Sequence, residues 1–122
     1  MSKPAAVSPW MTSDPRINAQ IDAAFNAVWS AFPYFELSEI LFPRRGNCLA
    51  GLARQCFLHI LVNTFRLPKK RLAVWGNAGL PKIKSACRSI ERRRQSDRFA
   101  DWFDAIAADA ARRFSKSEYV HG

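Results

Sequence analysis

Apolar residues in this chain recur at three- and four-residue spacing along most of its length, and nowhere do β-branched residues alternate with polar ones over a useful stretch. Asp14 followed by Pro15 reads as an N-cap and a first-turn proline. Ile17, Ile21, Ala24, Phe25, Val28, Trp29 and Phe32 then form a helical stripe that Pro33 stops. A short helical segment over Leu37 to Phe42 closes at Pro43, and Arg44, Arg45, Gly46 and Asn47 follow as a basic loop. Leu49, Leu52, Cys56, Phe57, Ile60, Leu61 and Thr64 keep a helical period from Cys48 to about Phe65, the expected central helix. A shorter helix beginning at Leu67-Pro68 carries Leu72, Ala73 and Trp75. It gives way to Gly76-Asn77-Ala78-Gly79, a turn whose glycines permit φ > 0 at little cost. The next helix starts around Pro81, buries Ile83, Ala86, Cys87 and Ile90, and runs into Arg92-Arg93-Arg94. Ser96 caps a last helix striped by Phe99, Trp102, Phe103, Ile106, Ala110 and Phe114.

The pattern predicts an all-α fold with one helical domain over residues 14–116, a loose tail over 1–13 and a short tail over 117–122. There is no internal repeat and no Gly/Ser linker between Asp14 and Lys116. At 122 residues with 48% apolar content the chain can fill one compact core. No apolar run approaches the roughly 18 residues that span a bilayer, and Met1 to Trp10 lacks an apolar block of signal-peptide length. The expectation is a cytoplasmic protein with no membrane partner. Cys48, Cys56 and Cys87 are odd in number, widely spaced and without a Cys-x-x-Cys or matching histidine pair, so free, buried thiols are expected and no metal site.

Charge changes the picture most. Between Arg44 and Arg94 thirteen Lys and Arg residues face one acid, Glu91, a net charge of +12, while the rest of the chain sums to −3. A domain with so little acidic relief releases counterions when it meets a polyanion, and for a chain of this kind the commonest such partner is nucleic acid.

Two short helices joined by a Gly-containing turn, the second basic on its outer face, is the arrangement that puts a helix into the DNA major groove. Stepping 100° per residue from Ile83 places Ala86, Cys87 and Ile90 within about 60° of it, with Pro81, Ser85, Arg88 and Arg92 on the opposite side. Lys82 and Lys84 flank that outward face, which contains no acid to repel phosphates or base edges. A solvated, Arg-rich face would account for any one of these runs. Arg44-Arg45, Arg54, Lys69-Lys70-Arg71 and Lys82-Lys84-Arg88 come from four separate places, each close to where a helix-turn-helix meets a duplex.

The residues also carry a family resemblance. Ala53-Arg54-Gln55 in the central helix, Leu72 followed by Trp75-Gly76, and Ala86-Cys87-Arg88-Ser89-Ile90-Glu91 together resemble the C-terminal DNA-binding domain of the bacterial chromosomal replication initiator DnaA. Phe35-Glu36-Leu37-Ser38-Glu39-Ile40-Leu41, followed by Arg44-Arg45, is similar to the acidic-Leu-Leu step and basic loop that precede that domain's central helix. The resemblance spans about Ile21 to Phe114. It implies a Trp-repressor-like helix-turn-helix bundle, with an additional N-terminal helix, that binds double-stranded DNA and regulates replication initiation or transcription at the nucleoid. By carry-over, Arg45 would reach the minor groove and Arg54 and Gln55 the sugar-phosphate backbone. The start of the recognition helix would read bases.

The sequence departs from the family at that start. Where the family has Arg-Asp-His-Thr-Thr-Val, this chain reads Ala78-Gly79-Leu80-Pro81-Lys82-Ile83, keeping only the apolar last position. Leu80 offers apolar contact to a thymine methyl and Lys82 reaches a phosphate or a guanine edge, but the base-reading Asp, His and Thr have no counterpart. The scaffold region is one residue shorter than the family's. The Gly-x-x-x-x-Gly-Lys-Ser/Thr loop of the initiator's ATPase module is missing, so the chain resembles the DNA-binding domain without its motor.

No enzyme is expected, and no cofactor. His59, mid-helix, reads as packed or surface-facing, His121 is next to the last residue, and Asp97, Asp101, Asp104 and Asp109 mark the polar side of the last helix. The aromatic wealth of the outer helices suggests the alternative of a protein-binding adaptor that engages the initiator or another replication-initiation protein. Trp10, in the tail, either docks elsewhere or has no role.

Overall fold

The computed structural model describes residues 12–75 and 79–117, and every regular element among them is helical. Helix α1 (Pro15–Ala31) begins as the sequence predicts: Asp14 lies in extended backbone and its Oδ1 accepts from Arg16 N–H at 2.9 Å, with Pro15 inside the first turn. Thr12, assigned from sequence to the tail, is tied to this helix: its N–H donates to Asn18 Oδ1 at 2.7 Å and its carbonyl accepts from Asn18 Nδ2 at 2.9 Å. The helix ends where the N–H of Phe32 bonds back to the Val28 and Trp29 carbonyls, one residue before Pro33.

Helix α2 (Leu37–Leu41) is held at its start by Glu36 N–H donating to Glu39 Oε1 at 2.9 Å, and it buries Ile40 and Leu41. Asn47 Oδ1 accepts from Ala50 N–H at 3.1 Å to start α3 (Cys48–His59). That helix does not continue unchanged to Phe65. Over Ile60–Thr64 it widens into a π turn, in which Phe65 N–H bonds to the Ile60 carbonyl at 3.1 Å, five residues back. Leu67 N–H then closes on the Leu61 carbonyl at 3.0 Å, with Arg66 at φ 60 in the left-handed region that a helix-terminating turn uses.

Helix α4 (Lys69–Trp75) is short, and the turn at Gly76, Asn77 and Ala78 lies outside the described residues, as do Trp10 and His121. Gly79 caps α5 (Leu80–Arg93), and Ser96 Oγ accepts from Phe99 N–H at 3.5 Å at the head of α6 (Asp97–Ser115).

The helices assemble around α3. Its residues Cys56 to Leu61 are all buried, which no single helix face could achieve: α1 and α2 pack on one part of it, α5 on another, and the π turn is covered by α1 and α6. Helices α1 and α6 pair along their lengths, and α4 rests on α5. Phe25 meets Phe57 edge-on at 6.2 Å at the centre, each ring contributing on the order of 1.5–3 kcal/mol by leaving water. On α5, Ile83, Ala86, Cys87 and Ile90 are the buried residues, as their angular spacing predicts.

Two expectations fail at the start of α3. Cys48 is exposed rather than buried, and Leu49 does not join the core stripe but is 52% exposed, because the covered side of that first turn is the one carrying Ala50, which is fully buried. Trp102 also leaves its stripe. It is 39% exposed and packs edge-on against Phe32 at the end of α1.

Candidate nucleic-acid interface

Helix α5 is built to present cations. Pro81 sits in its first turn where a missing N–H costs nothing, and no acid occupies that turn. Arg92 and Arg93 lie in the last turn, where the helix dipole favours positive charge. With Ile83 and its neighbours turned inward, Pro81, Lys82, Lys84, Ser85, Arg88 and Arg92 are exposed. Lys82 and Ser85 fall on one flank of the outer face and Lys84 and Arg88 on the other. Each flank borders a cleft.

The first cleft, about 300 Å³, lies between α5 and one face of α3, lined by Arg54, Gln55, Lys82, Ser85, Gly51 and Pro43. Arg54 is half-buried here and has no ion-pair partner among the described residues; its Nε and the Oε1 of Gln55 are buried without hydrogen bonds. Burial pulls the guanidinium below its ordinary pKa, since no anion offsets the loss of water. A Cβ built on Gly51 meets nothing within 4 Å, so the bare backbone leaves the cleft open on that side. Arg44 and Arg45 follow Pro43 directly. They are exposed on a turn in which Asn47 N–H bonds to the Arg44 carbonyl at 3.0 Å and Gly46 takes φ 90.

The second cleft, about 970 Å³, lies on the other flank, where Lys69 at the head of α4 and Asn63 of the π turn face α5. Lys84, Arg88, Arg92 and Arg94 line its α5 wall, together with Cys87 and Glu91. Glu91, the lone acid of the basic stretch, is already engaged: Oε2 bonds His59 Nε2 and Oε1 lies 3.6 Å from Arg94. Arg94 also donates to both carboxylate oxygens of Asp104 on α6, at 3.0 and 3.2 Å. Lys69, Lys84, Arg88 and Arg92 have no acidic partner among the described residues.

Of the residues singled out from sequence, Arg54, Gln55, Lys82 and Ser85 meet at the first cleft and Lys69, Lys84, Arg88 and Arg92 at the second. Arg44 and Arg45 adjoin the first through the chain. Lys70, Leu80 and Pro81 line neither of these two clefts, although Leu80 and Pro81 form the first turn of α5 between them. Sequence reasoning missed Gly51, Asn63, Arg94 and Gln95. A glycine inside a helical stripe was the available signal for the first, whereas Asn63 and Gln95 are brought to the second cleft only by the folding of the chain.

Among the described residues no group of three or more His, Cys, Asp or Glu side chains is arranged to hold a metal, and no helix is long and apolar enough to cross a membrane. Comparisons with family models, curated proteins and solved structures returned no match for the chain.

Proposed function

We propose that this chain is a double-stranded DNA-binding helix-turn-helix module of the Trp-repressor-like type, related to the C-terminal domain of the replication initiator DnaA. In this reading it acts at the nucleoid, in the cytoplasm, on replication initiation or on transcription. The observation that carries the reading is Arg54: a half-buried cation with no counter-ion among the described residues, in a cleft of about 300 Å³ beside Lys82 and Ser85. Holding such a charge costs stability unless an incoming anion supplies what the fold withholds. Cations on both flanks of α5 support the same reading, because a helix in the major groove, about 12 Å wide, has a phosphate wall on each side.

In this arrangement Arg54, Gln55, Lys82 and Ser85 hold one strand's backbone, and Lys69, Lys84, Arg88 and Arg92 face the other. Arg44 and Arg45 stand at the edge, where Arg45 reaches the adjacent minor groove. Leu80 and Pro81 lack hydrogen-bonding side chains, so affinity comes mainly from phosphates and base discrimination is weak. Titration of a fluorescent duplex at several salt concentrations tests this. The logarithm of the association constant falls with log salt at about 0.9 per phosphate neutralised. Arg54→Leu keeps or raises the melting temperature while shedding about one phosphate's worth of that slope; unaltered duplex binding by Arg54→Leu would overturn the reading.

One observation favours the second reading, a protein-binding adaptor. Tyr34, 64% exposed, and Trp102 cluster with Phe35 around Phe32, leaving aromatic surface at the end of the α1–α6 pair. If a replication-initiation protein is the ligand, charge reversal at Arg45, Arg54 and Lys82 leaves activity untouched and Trp102→Ala removes it.

A further inference from the structure

The second cleft is larger than any one backbone phosphate requires. It is about three times the volume of the first, and its cations come from two helices that face each other across it. Along α5 its lining runs from Lys84 to Arg92, about 12 Å at helical rise, and continues past the helix end into Arg94 and Gln95. A recognition helix touches its duplex chiefly through its N-terminal residues, so the end of the cleft at Arg94 and Gln95 lies beyond the reach of that contact. Arg94 is held by Glu91 and Asp104, but Lys69, Lys84, Arg88 and Arg92 have no acidic partner among the described residues. Glu91 is the one acid in the lining, and His59 and Arg94 already occupy its two oxygens.

We propose that the cleft between α4 and α5 is a binding site for a compact polyphosphate, a ligand carrying several adjacent phosphates, held between Lys69 on one side and Lys84, Arg88 and Arg92 on the other. Arginine presents paired donors that match phosphate oxygens, and lysine adds a point charge with adjustable reach. Singly charged anions gain too little from cations spread over such a length, whereas a chain of phosphates meets several at once. Inorganic polyphosphate and the tail of a nucleoside triphosphate share this chemistry. The site itself does not need the DNA reading. Its consequence does: Lys84, Arg88 and Arg92 cannot hold duplex and polyphosphate together, so the ligand displaces DNA.

Gln95 provides the test, because it is exposed, lines the cleft and lies outside the residues assigned to the duplex. Calorimetric titration of the full chain would use inorganic tripolyphosphate, a nucleoside triphosphate and orthophosphate, all at matched ionic strength. Tripolyphosphate is expected to bind saturably at one site, and orthophosphate not. Gln95→Glu weakens tripolyphosphate about fivefold, the worth of one unit charge near 4 Å in water, and Gln95→Lys strengthens it similarly. Lys82→Ala, on the opposite flank, leaves it unchanged. Tighter binding of the nucleoside triphosphate than of tripolyphosphate assigns a base or sugar contact as well; equal binding makes the phosphate chain the whole ligand. Both support the site.

The proposal is overturned if tripolyphosphate titrates without saturation, if orthophosphate matches it, or if Gln95→Glu binds it as the unaltered protein does. Duplex titration of the same variants separates the two readings. Saturable polyphosphate binding without duplex binding removes the DNA reading alone, and duplex binding without a polyphosphate site removes this one alone.

Discussion

His59 of α3 and Glu91 of α5 are joined through Nε2 and Oε2, across 32 residues of sequence, with the histidine side buried and the carboxylate side open to solvent. Because the carboxylate accepts, Nε2 carries the proton. The imidazole is fixed further by the edge-on ring of Phe103 at 4.9 Å. The lone acid of the basic stretch thus serves to lock the outer helix onto the central one.

Glu91→Ala should therefore destabilise the protein by about 1–3 kcal/mol, since it leaves a buried imidazole donor without an acceptor. Duplex affinity of the folded fraction should hold or rise, because a negative charge has left the cationic face. Thermal melts beside anisotropy titrations measure both. An unchanged melting temperature would mean the pair is incidental.

The two sides of α5 should separate cleanly in mutagenesis. Lys82→Ala, at an exposed position, is expected to reduce the salt slope of duplex binding by about 0.9 without shifting the melt. Ile83→Ala, at a fully buried one, should cost about 2–5 kcal/mol through the cavity it leaves. If the lysine variant unfolds, or the isoleucine variant does not lose stability, the assignment of faces is reversed.

Gly51 predicts a trade between stability and binding. A methyl group there meets nothing within 4 Å, so Gly51→Ala should raise stability by roughly 0.5–1 kcal/mol through the smaller entropy loss of a helical alanine. The same methyl narrows the first cleft beside Arg54, and duplex affinity should fall. Denaturant titration and duplex titration of one protein sample check the two directions together.

The thiols differ in a way that alkali should expose. Burial pushes Cys56 from an ordinary value near 9 up to about 12, and it raises Cys87 as well, with Lys69 pulling the latter back and Glu91 pushing it further up. A folded thiol that holds its proton longer than the unfolded one stabilises the protein fully below the unfolded value. That contribution is lost as pH climbs from about 9 toward 12. Iodoacetamide on the native protein near neutral pH should modify Cys48 alone, with Cys56 and Cys87 reacting only after unfolding, as counted by intact mass.

Much of the helix inventory was legible in the sequence because caps and stripes are local. Asp14, Pro15 and Ser96 sit where helices begin, and Ile83, Ala86, Cys87 and Ile90 face inward as their spacing requires. What escaped has non-local causes. The exposure of Cys48 and Leu49 depends on which side of α3's first turn its neighbours cover, Ala50 in the same turn being fully buried, not on their own hydropathy. Nothing in Ile60 to Thr64 announces a wider turn, since a bond five residues back uses the same side chains as one four back. The candidate site was legible as a list of cations but not as two clefts. Arg54 meets Lys82, and Lys69 meets Arg92, only once α3, α4 and α5 are packed.

The widened segment at Ile60–Thr64 has an evolutionary reading. It holds one more residue than the ordinary winding would need between the Ile60 carbonyl and the N–H of Phe65. Loss of a single codon there would leave a regular coil with its downstream register intact, whereas the same loss elsewhere in α3 would swing every later side chain by about 100°. The segment is thus the place where the chain tolerates a change of length without turning α4 and α5 away from whatever they grip.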